Sequence, residues 1–335
     1  EKMKYMTGLN LPRVKLCQLP TDLDPASNLS KKLGDVNIYF KRDDNTGLAI
    51  GGNKGRKLEF LLADALKKEA DVIITTGSIQ SNHTRMTCAA CRKLGLDVIL
   101  MLKGKKPAQF RGNLLLEKLM NADMRFFDVS SYNEIGIEAD KLMDELRAKG
   151  KKPYFIPVGG SVGLGACGYV DCALELFNQA DSQNLRIDYI VNAVGSGGTS
   201  AGLEVGVRLA KRDAKVVGIS VDSEKSVFKQ DISRIAQDSI SLLGADLEIL
   251  PDDIIVFDEY IGESGYGKPS RQGVEAIKFT AETEGIILDP VYSGKAMAGL
   301  IDLVKKGFFE KGSNIIFIHT GGTPALFDML VENSD

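Results

Sequence analysis

From about residue 70 onward, short runs rich in β-branched and aromatic residues alternate with stretches whose apolar residues recur at helical spacing. VIITTG, DVILML, MRFFDV and YFIPVG make a first series. YIVNAVG, KVVGISV, DIIVFD and NIIFIHT make a second, each leading into a glycine-rich or polar turn and then a helical segment. A strand followed by a helix pairs in parallel with the next strand, because a parallel neighbour needs a long crossover. The alternation therefore predicts an α/β chain with two parallel sheets. Their seam is expected near KKPYFIPVGGSVGLGACGY, residues 151–169, where glycines accumulate. SGYGKPSRQG, residues 264–273, interrupts the second series with glycines and a proline and is expected to form a loop near a ligand.

Composition narrows the class of function. A chain of 335 residues, 44% hydrophobic and 26% charged, is long enough for two domains with separate cores. Its net charge of −3 is spread along the chain, so no basic stripe offers itself to nucleic acid or to an anionic membrane. No apolar run reaches the roughly 18 residues of a spanning helix, and the opening EKMKYMTGLN has no apolar signal core, which predicts a cytoplasmic protein. Five scattered cysteines argue against a disulfide framework and for a reducing compartment.

Within GGNKGRKLEF, residues 51–60, three cations stand at the start of a predicted helix, where unpaired N–H groups disfavour positive charge. Leu58, Leu61, Leu62, Ala65 and Leu66 mark the buried stripe of that helix, with Asn53 as its expected N-cap and Lys54 at its first position. Lys57 follows on nearly the same face, and Arg56 points elsewhere. The helix end and the neighbouring charge both lower the pKa of Lys54, which suits a Schiff-base lysine holding a carbonyl cofactor. The plainer alternative is a solvated basic helix start.

Three further turns carry polar groups. VNAVGSGGTSAG, residues 191–202, leads from a strand through glycines into a helix and forms an anion cradle. Ser200 stands where a dinucleotide fingerprint has its third glycine, while Asp222 lies at a distance that suits a ribose-binding acid; both a dinucleotide and a purely structural turn stay open. TTGSIQSNHTR, residues 75–85, crowds Ser78, Gln80, Ser81, Asn82 and His83 at a helix start, which suits a carboxylate; capping by Ser81 or Asn82 accounts for one of the five. Near the C-terminus, Tyr292, Ser293 and Thr320 lie at loop starts beside glycines, and Tyr292 is placed to give or take a proton. Cys88 and Cys91 fall inside a helix rather than at its start, and only two histidines, His83 and His319, occur, which excludes a multi-histidine metal site. His319 reads as a hydrogen-bonded core residue.

Together and in order, GGNKGRKLEF, TTGSIQSNHTR, GSGGTSAG, SGYGKP, DPVYSGKAM and HTGGTPAL resemble the pyridoxal-phosphate enzymes that include D-cysteine desulfhydrase and 1-aminocyclopropane-1-carboxylate deaminase, over nearly the whole chain from Leu11. The resemblance implies a two-domain, three-layer parallel-sheet α/β fold of the tryptophan synthase β type, fold type II among pyridoxal-phosphate enzymes. Residues 1–56 and 166–335 would form a larger cofactor-binding domain and residues 57–165 a smaller inserted one. Lys54 would bind pyridoxal 5'-phosphate as a Schiff base, and Asn82 its ring hydroxyl. Gly195, Ser196, Gly197, Gly198 and Thr199 would hold the phosphate, and Thr320 would face the ring nitrogen. Ser81, Asn82 and His83 would take the substrate carboxylate, with Tyr266, Tyr292 and Ser293 around the reacting carbon. Catalysis would fall to Lys54, Ser81, Tyr266 and Tyr292, with no metal, and the family habit implies a homodimer.

Ser293 and Thr320 stand where the deaminase branch has Glu and Leu, and so match the desulfhydrase branch. The implied reaction is β-elimination on a small β-substituted amino acid, D-cysteine giving pyruvate, hydrogen sulfide and ammonia. Deamination of the cyclopropane amino acid and sulfo-lyase action on cysteate are alternatives, the latter because His83 replaces the usual Gln. More remote are a nicotinamide-dependent oxidoreductase and a non-catalytic amino-acid-binding protein. Arg56 and Lys57 keep the reading of solvated charges.

Overall fold

The computed structural model describes residues 9–263 and 265–330. The first eight residues, where a targeting signal was sought, Ser264 at the head of the glycine-broken loop, and the last five residues of the expected larger domain lie outside them. The chain opens with β1 (Leu23–Pro25), α1 (Ser27–Leu33), β2 (Asn37–Lys41) and α2 (Lys54–Lys67). The first predicted series follows as β3 (Val72–Ser78), α3 (Asn82–Leu94), β4 (Asp97–Lys103), α4 (Gly112–Leu119), β5 (Asp123–Phe127), α5 (Tyr132–Ala148) and β6 (Pro153–Ile156), after which α6 (Gly163–Ser182) crosses the expected seam. The second series is β7 (Tyr189–Val194), α7 (Gly198–Leu209), β8 (Lys215–Ser220), α8 (Lys225–Leu243), β9 (Ile255–Phe257), α9 (Arg271–Glu284), α10 (Ser293–Lys305), β10 (Asn314–Ile318) and α11 (Leu326–Met329).

The strands form two sheets. One runs β5-β4-β3-β6 and is parallel throughout; the other runs β1-β2-β10-β7-β8-β9 and is parallel except for β1. Both faces of each sheet are apolar. Ile315 and Phe317 of β10 enter one core and Ile316 and Ile318 another, while Val98, Leu100 and Leu102 of β4 oppose Ile99 and Met101. Helices on both faces of each sheet give three layers, and for that reason the strands read as unbroken apolar runs.

Helix α2 is fastened to the six-stranded sheet by buried charge. The Arg56 guanidinium donates to both oxygens of Asp43, at 2.8 and 2.9 Å, and to both oxygens of Glu175 on α6, at 3.0 and 2.9 Å. Its Nη2 also reaches Thr21 Oγ1, and Tyr169 donates to Asp43 at 2.5 Å. Lys41 of β2 completes the cluster through Glu175, Gln179 and the Thr21 carbonyl. Arg56 holds the Asp43 carboxyl below its ordinary range despite complete burial. Gly168 on α6 lets the two helices approach, since a Cβ there would lie 2.5 Å from the Arg56 carbonyl.

These contacts correct one expectation. Arg56 and Lys57 are both about 1% exposed, so neither is a solvated charge. Removing one partner of such a buried cluster strands the others without counter-charge. Arg56→Met is expected to cost about 3–5 kcal/mol of stability in urea unfolding, with part of the loss recovered in Arg56→Met/Asp43→Asn.

Candidate active site

Parallel strands end together, and the loops at their C-terminal ends form the natural crevice of an α/β sheet. Here the ends of β3, β7 and β10 meet the first turn of α2 around a cavity lined by Ser78, Ser81, Asn82 and His83, by Gly195, Ser196, Gly197 and Thr199, and by Lys54, Tyr266, Tyr292 and Thr320. The structure thus gathers eleven of the thirteen predicted site residues on its walls. Gly198, the first residue of α7, lies directly behind them.

Burial lowers the Lys54 amine to about 8, opposed by a hydrogen bond to Lys57. Burial first, then the charge and hydrogen bond of Lys54, hold Lys57 well below its ordinary value as well. Desolvation, rather than the helix end invoked from the sequence, is the leading cause. Asn53 stands at the expected position but caps nothing: its backbone is already helical, and its Nδ2 donates to Thr199 Oγ1 at 3.1 Å.

At the start of α7 the N–H groups of the first turn have no intrahelical acceptor. Gly197 enters with a left-handed φ of 79°. A Cβ on Gly198 would lie 2.7 Å from Ser161 Oγ and 2.8 Å from Lys57 Nζ. Lys57 Nζ donates to Gly159 O at 3.3 Å and to Ser161 Oγ at 3.2 Å, and Ser161 and Ser196 hydroxyls are 2.7 Å apart. Hydroxyls, orphan N–H groups and an amine thus converge where a phosphate was expected. Ser161 and Lys57 were missed as parts of this cradle; for Lys57, its spacing from Lys54 was the available signal. Ser200, where the fingerprint lacks its glycine, accepts from Asn192 at 2.7 Å and ties α7 to β7.

Across the cavity, Ser81 caps α3 by accepting the Thr84 N–H at 3.3 Å, while the N–H groups of Asn82 and His83 begin the helix without backbone acceptors. His83 differs from expectation. Thr75 gives its hydroxyl proton to Ile156 O at 2.7 Å, so at 2.8 Å it accepts from His83 Nε2. Burial first, then the charges of Lys54 and Lys57, keep the imidazole neutral, and Nδ1 is a bare acceptor. Such a side chain cannot hold a carboxylate; only the backbone N–H of His83 can.

The Tyr266 and Tyr292 hydroxyls are 2.6 Å apart, and burial raises both pKa values, so both phenols keep their protons at neutral pH. Ser293 is corrected. Its hydroxyl donates to Asp289 Oδ1 at 2.7 Å and accepts the Asp289 N–H at 2.8 Å, beneath the loop and off the cavity wall. Tyr132, which opens α5, lines the cavity without having announced itself in the sequence. His319 is the core residue expected, donating to Ile287 O and accepting from Gly321 N. Cys88 and Cys91 are buried thiols whose pKa values burial raises. Among the described residues no group of acids, histidines and cysteines could hold a metal, and no helix is long and apolar enough to cross a membrane.

Comparison with known proteins agrees over the whole of this frame. A family model described as "Pyridoxal-phosphate dependent enzyme" matches residues 14–321. The D-cysteine desulfhydrase of Klebsiella pneumoniae is 44% identical over 330 residues, covering 97% of this chain and 98% of its own. A protein of Pyrococcus horikoshii named "Putative 1-aminocyclopropane-1-carboxylate deaminase" is 43% identical over 316 residues, 94% of this chain and 93% of its own. The crystal structure of an ACC deaminase homologue superposes with a TM-score of 0.88 at 42% identity, covering 95% of this chain and 94% of the other.

The lowered Lys54 pKa has a direct signature. In the cofactor-free protein, labelling of Lys54 by an amine-directed reagent, followed by peptide mass spectrometry, is expected to reach half its maximal rate at a pH of about 8 rather than at the ordinary 10.5. A midpoint near the ordinary value would mean a solvated ammonium.

Proposed function

Because the chain belongs to the pyridoxal-phosphate-dependent enzymes, we propose that it catalyses β-elimination on a small β-substituted amino acid, with D-cysteine and water giving pyruvate, hydrogen sulfide and ammonia. Pyridoxal phosphate is the cofactor, and the cavity fits it. A phosphate is matched by the N–H groups and hydroxyls about Gly195, Ser196, Gly197, Gly198 and Thr199, with Lys57 behind them, and the aldehyde by the Lys54 amine. When bound, this cofactor condenses with amines and delocalises the electron pair left on Cα.

The protein's own part follows from placement. The Lys54 amine, whose pKa burial lowers to about 8, takes the α-proton in its neutral form. The Ser81 hydroxyl and the N–H groups of Asn82 and His83 hold the substrate carboxylate. Tyr266 and Tyr292, both protonated, hydrogen-bond the departing sulfur. Asn82 Nδ2 would meet the ring hydroxyl of the bound cofactor, and Thr320, whose hydroxyl bonds no described side chain, would stand against its ring nitrogen.

One observation carries the choice of reaction: among the described residues no Asp or Glu lines the cavity. A ring nitrogen met by a hydroxyl stays unprotonated and withdraws electrons less strongly than a carboxylate-paired pyridinium. That suffices where an α-proton and a good leaving group are present. Opening a cyclopropane that has no α-proton demands more, which disfavours the deaminase alternative.

The larger domain of residues 1–56 and 166–335 and the smaller one of 57–165 belong to the same reading, supported by the origin of all four strands of the smaller sheet between Val72 and Ile156. We further place the enzyme in the cytoplasm, consistent with five free, buried cysteines. A homodimer, without nucleic-acid or membrane partners, is the proposed assembly.

Keto-acid release is tested over D-cysteine, L-cysteine, D-serine, cysteate and the cyclopropane amino acid. D-cysteine is expected to be turned over best; 2-oxobutanoate from the cyclopropane alone would refute the reading. Lys54→Ala is expected to lose the visible absorption of lysine-bound cofactor together with activity. Light scattering is expected to give twice the mass of one chain, and a monomer would remove the dimer.

A further inference from the structure

The orientation of one amide in the cavity wall is set from outside the site. Asn82 has an acceptor end, Oδ1, and a donor end, Nδ2. Its Oδ1 accepts from Asn113 Nδ2 at 3.0 Å and from Arg85 at 3.5 Å. Asn113 cannot turn round, because its Nδ2 also donates to the Gln80 carbonyl at 2.8 Å, where its own oxygen would meet another acceptor. Nor can Asn82 turn without setting two N–H₂ groups against each other.

Asn113 is fully buried at the second position of α4, and its anchors are themselves tied down. Its backbone N–H donates to Gln80 Oε1 at 2.8 Å, while Gln80 Nε2 donates to Arg111 O at 3.1 Å and to Asp328 Oδ2 on α11 at 3.0 Å. With Oδ1 so held, Asn82 Nδ2 lies beside the Gly322 turn, where a Cβ would come within 3.0 Å of it, and has no described protein acceptor.

We propose that Asn113 is a positioning residue for the cofactor ring. By occupying Asn82 Oδ1, it presents Nδ2 as a donor to the ring hydroxyl oxygen. An ionised ring oxygen can only accept, so the reversed amide would oppose two acceptors. The proposal rests on the reading that Asn82 meets that oxygen.

The test measures the dissociation constant of pyridoxal phosphate and the pH dependence of its visible band in the full chain. The proteins compared are wild type, Asn82→Ala, Asn113→Leu, Asn113→Asp and Asn82→Ala/Asn113→Leu. Asn113→Leu is expected to weaken cofactor binding about tenfold, the size of one lost hydrogen bond, and to shift the band in the same direction as Asn82→Ala. The double variant is expected to bind no more weakly than Asn82→Ala alone. Fully additive losses, or wild-type binding and spectrum in Asn113→Leu beside an altered Asn82→Ala, would overturn the proposal. Asn113→Asp keeps the side-chain shape and is expected to reproduce the loss with unchanged circular dichroism; a loss confined to the leucine variant would mark a packing effect and sink it. Unaltered binding and spectrum in Asn82→Ala would remove the ring contact itself, and the proposal with it, while leaving β-elimination to the keto-acid assay.

Discussion

A guanidinium buried among two carboxylates fixes where the reactive end of this molecule lies. Taking Arg56, Asp43 and Glu175 out of water costs several kcal/mol per ion, and it is offset only because every N–H of the fork in use meets an oxygen at 2.8–3.1 Å. The return is geometric. Asp43 follows β2, Glu175 lies on α6 and Arg56 is in the first turn of α2, so one cluster sets the azimuth of α2 against the larger sheet. Two residues before Arg56, Lys54 is thereby turned into the cavity, and one residue after it, Lys57 is turned under the glycine cradle. The three cations that looked misplaced at a helix start have three separate tasks, none of them in water.

The strands were legible because both faces of each sheet are covered. All eight apolar runs became strands, since no polar alternation was needed to mark a solvent side. β1 and β2 escaped notice: β1 has three residues, and β2 carries Lys41, whose charge is buried only because Glu175 and Gln179 come to it from distant α6. Site residues at strand ends beside glycines were likewise legible, as Ser81, Gly197 and Thr320 show. Partners that arrive through tertiary folding were not. Ser161 and Tyr132 carry no local signal, Asn53 turns to Thr199 far along the chain, and Ser293 is held by Asp289 four residues before it.

Chemical character in the cavity comes more from what is kept out than from what is present. Without a carboxylate on the described walls, charge is supplied by amines, amide N–H groups and hydroxyls alone. Such a site suits anions at the helix starts of α7 and α3 and leaves the middle to groups that stay neutral. The paired phenols and the neutral imidazole belong to that middle. Burial, the same cause that lowers the Lys54 pKa, raises those of Tyr266 and Tyr292, so one environment tunes acid and base in opposite directions.

The hydrogen bond from Thr75 to Ile156 joins two strands, β3 and β6, at a pair of residues in register. It also consumes the one proton that Thr75 owns, which obliges His83 to keep its own on Nε2. The tautomer in the cavity is therefore a readout of strand pairing in the smaller sheet. Slipping β6 by one residue would free the threonine to donate the other way, and the imidazole could then carry its proton on the opposite nitrogen. A sheet edge and a proton position are, in this molecule, two ends of one switchless wire.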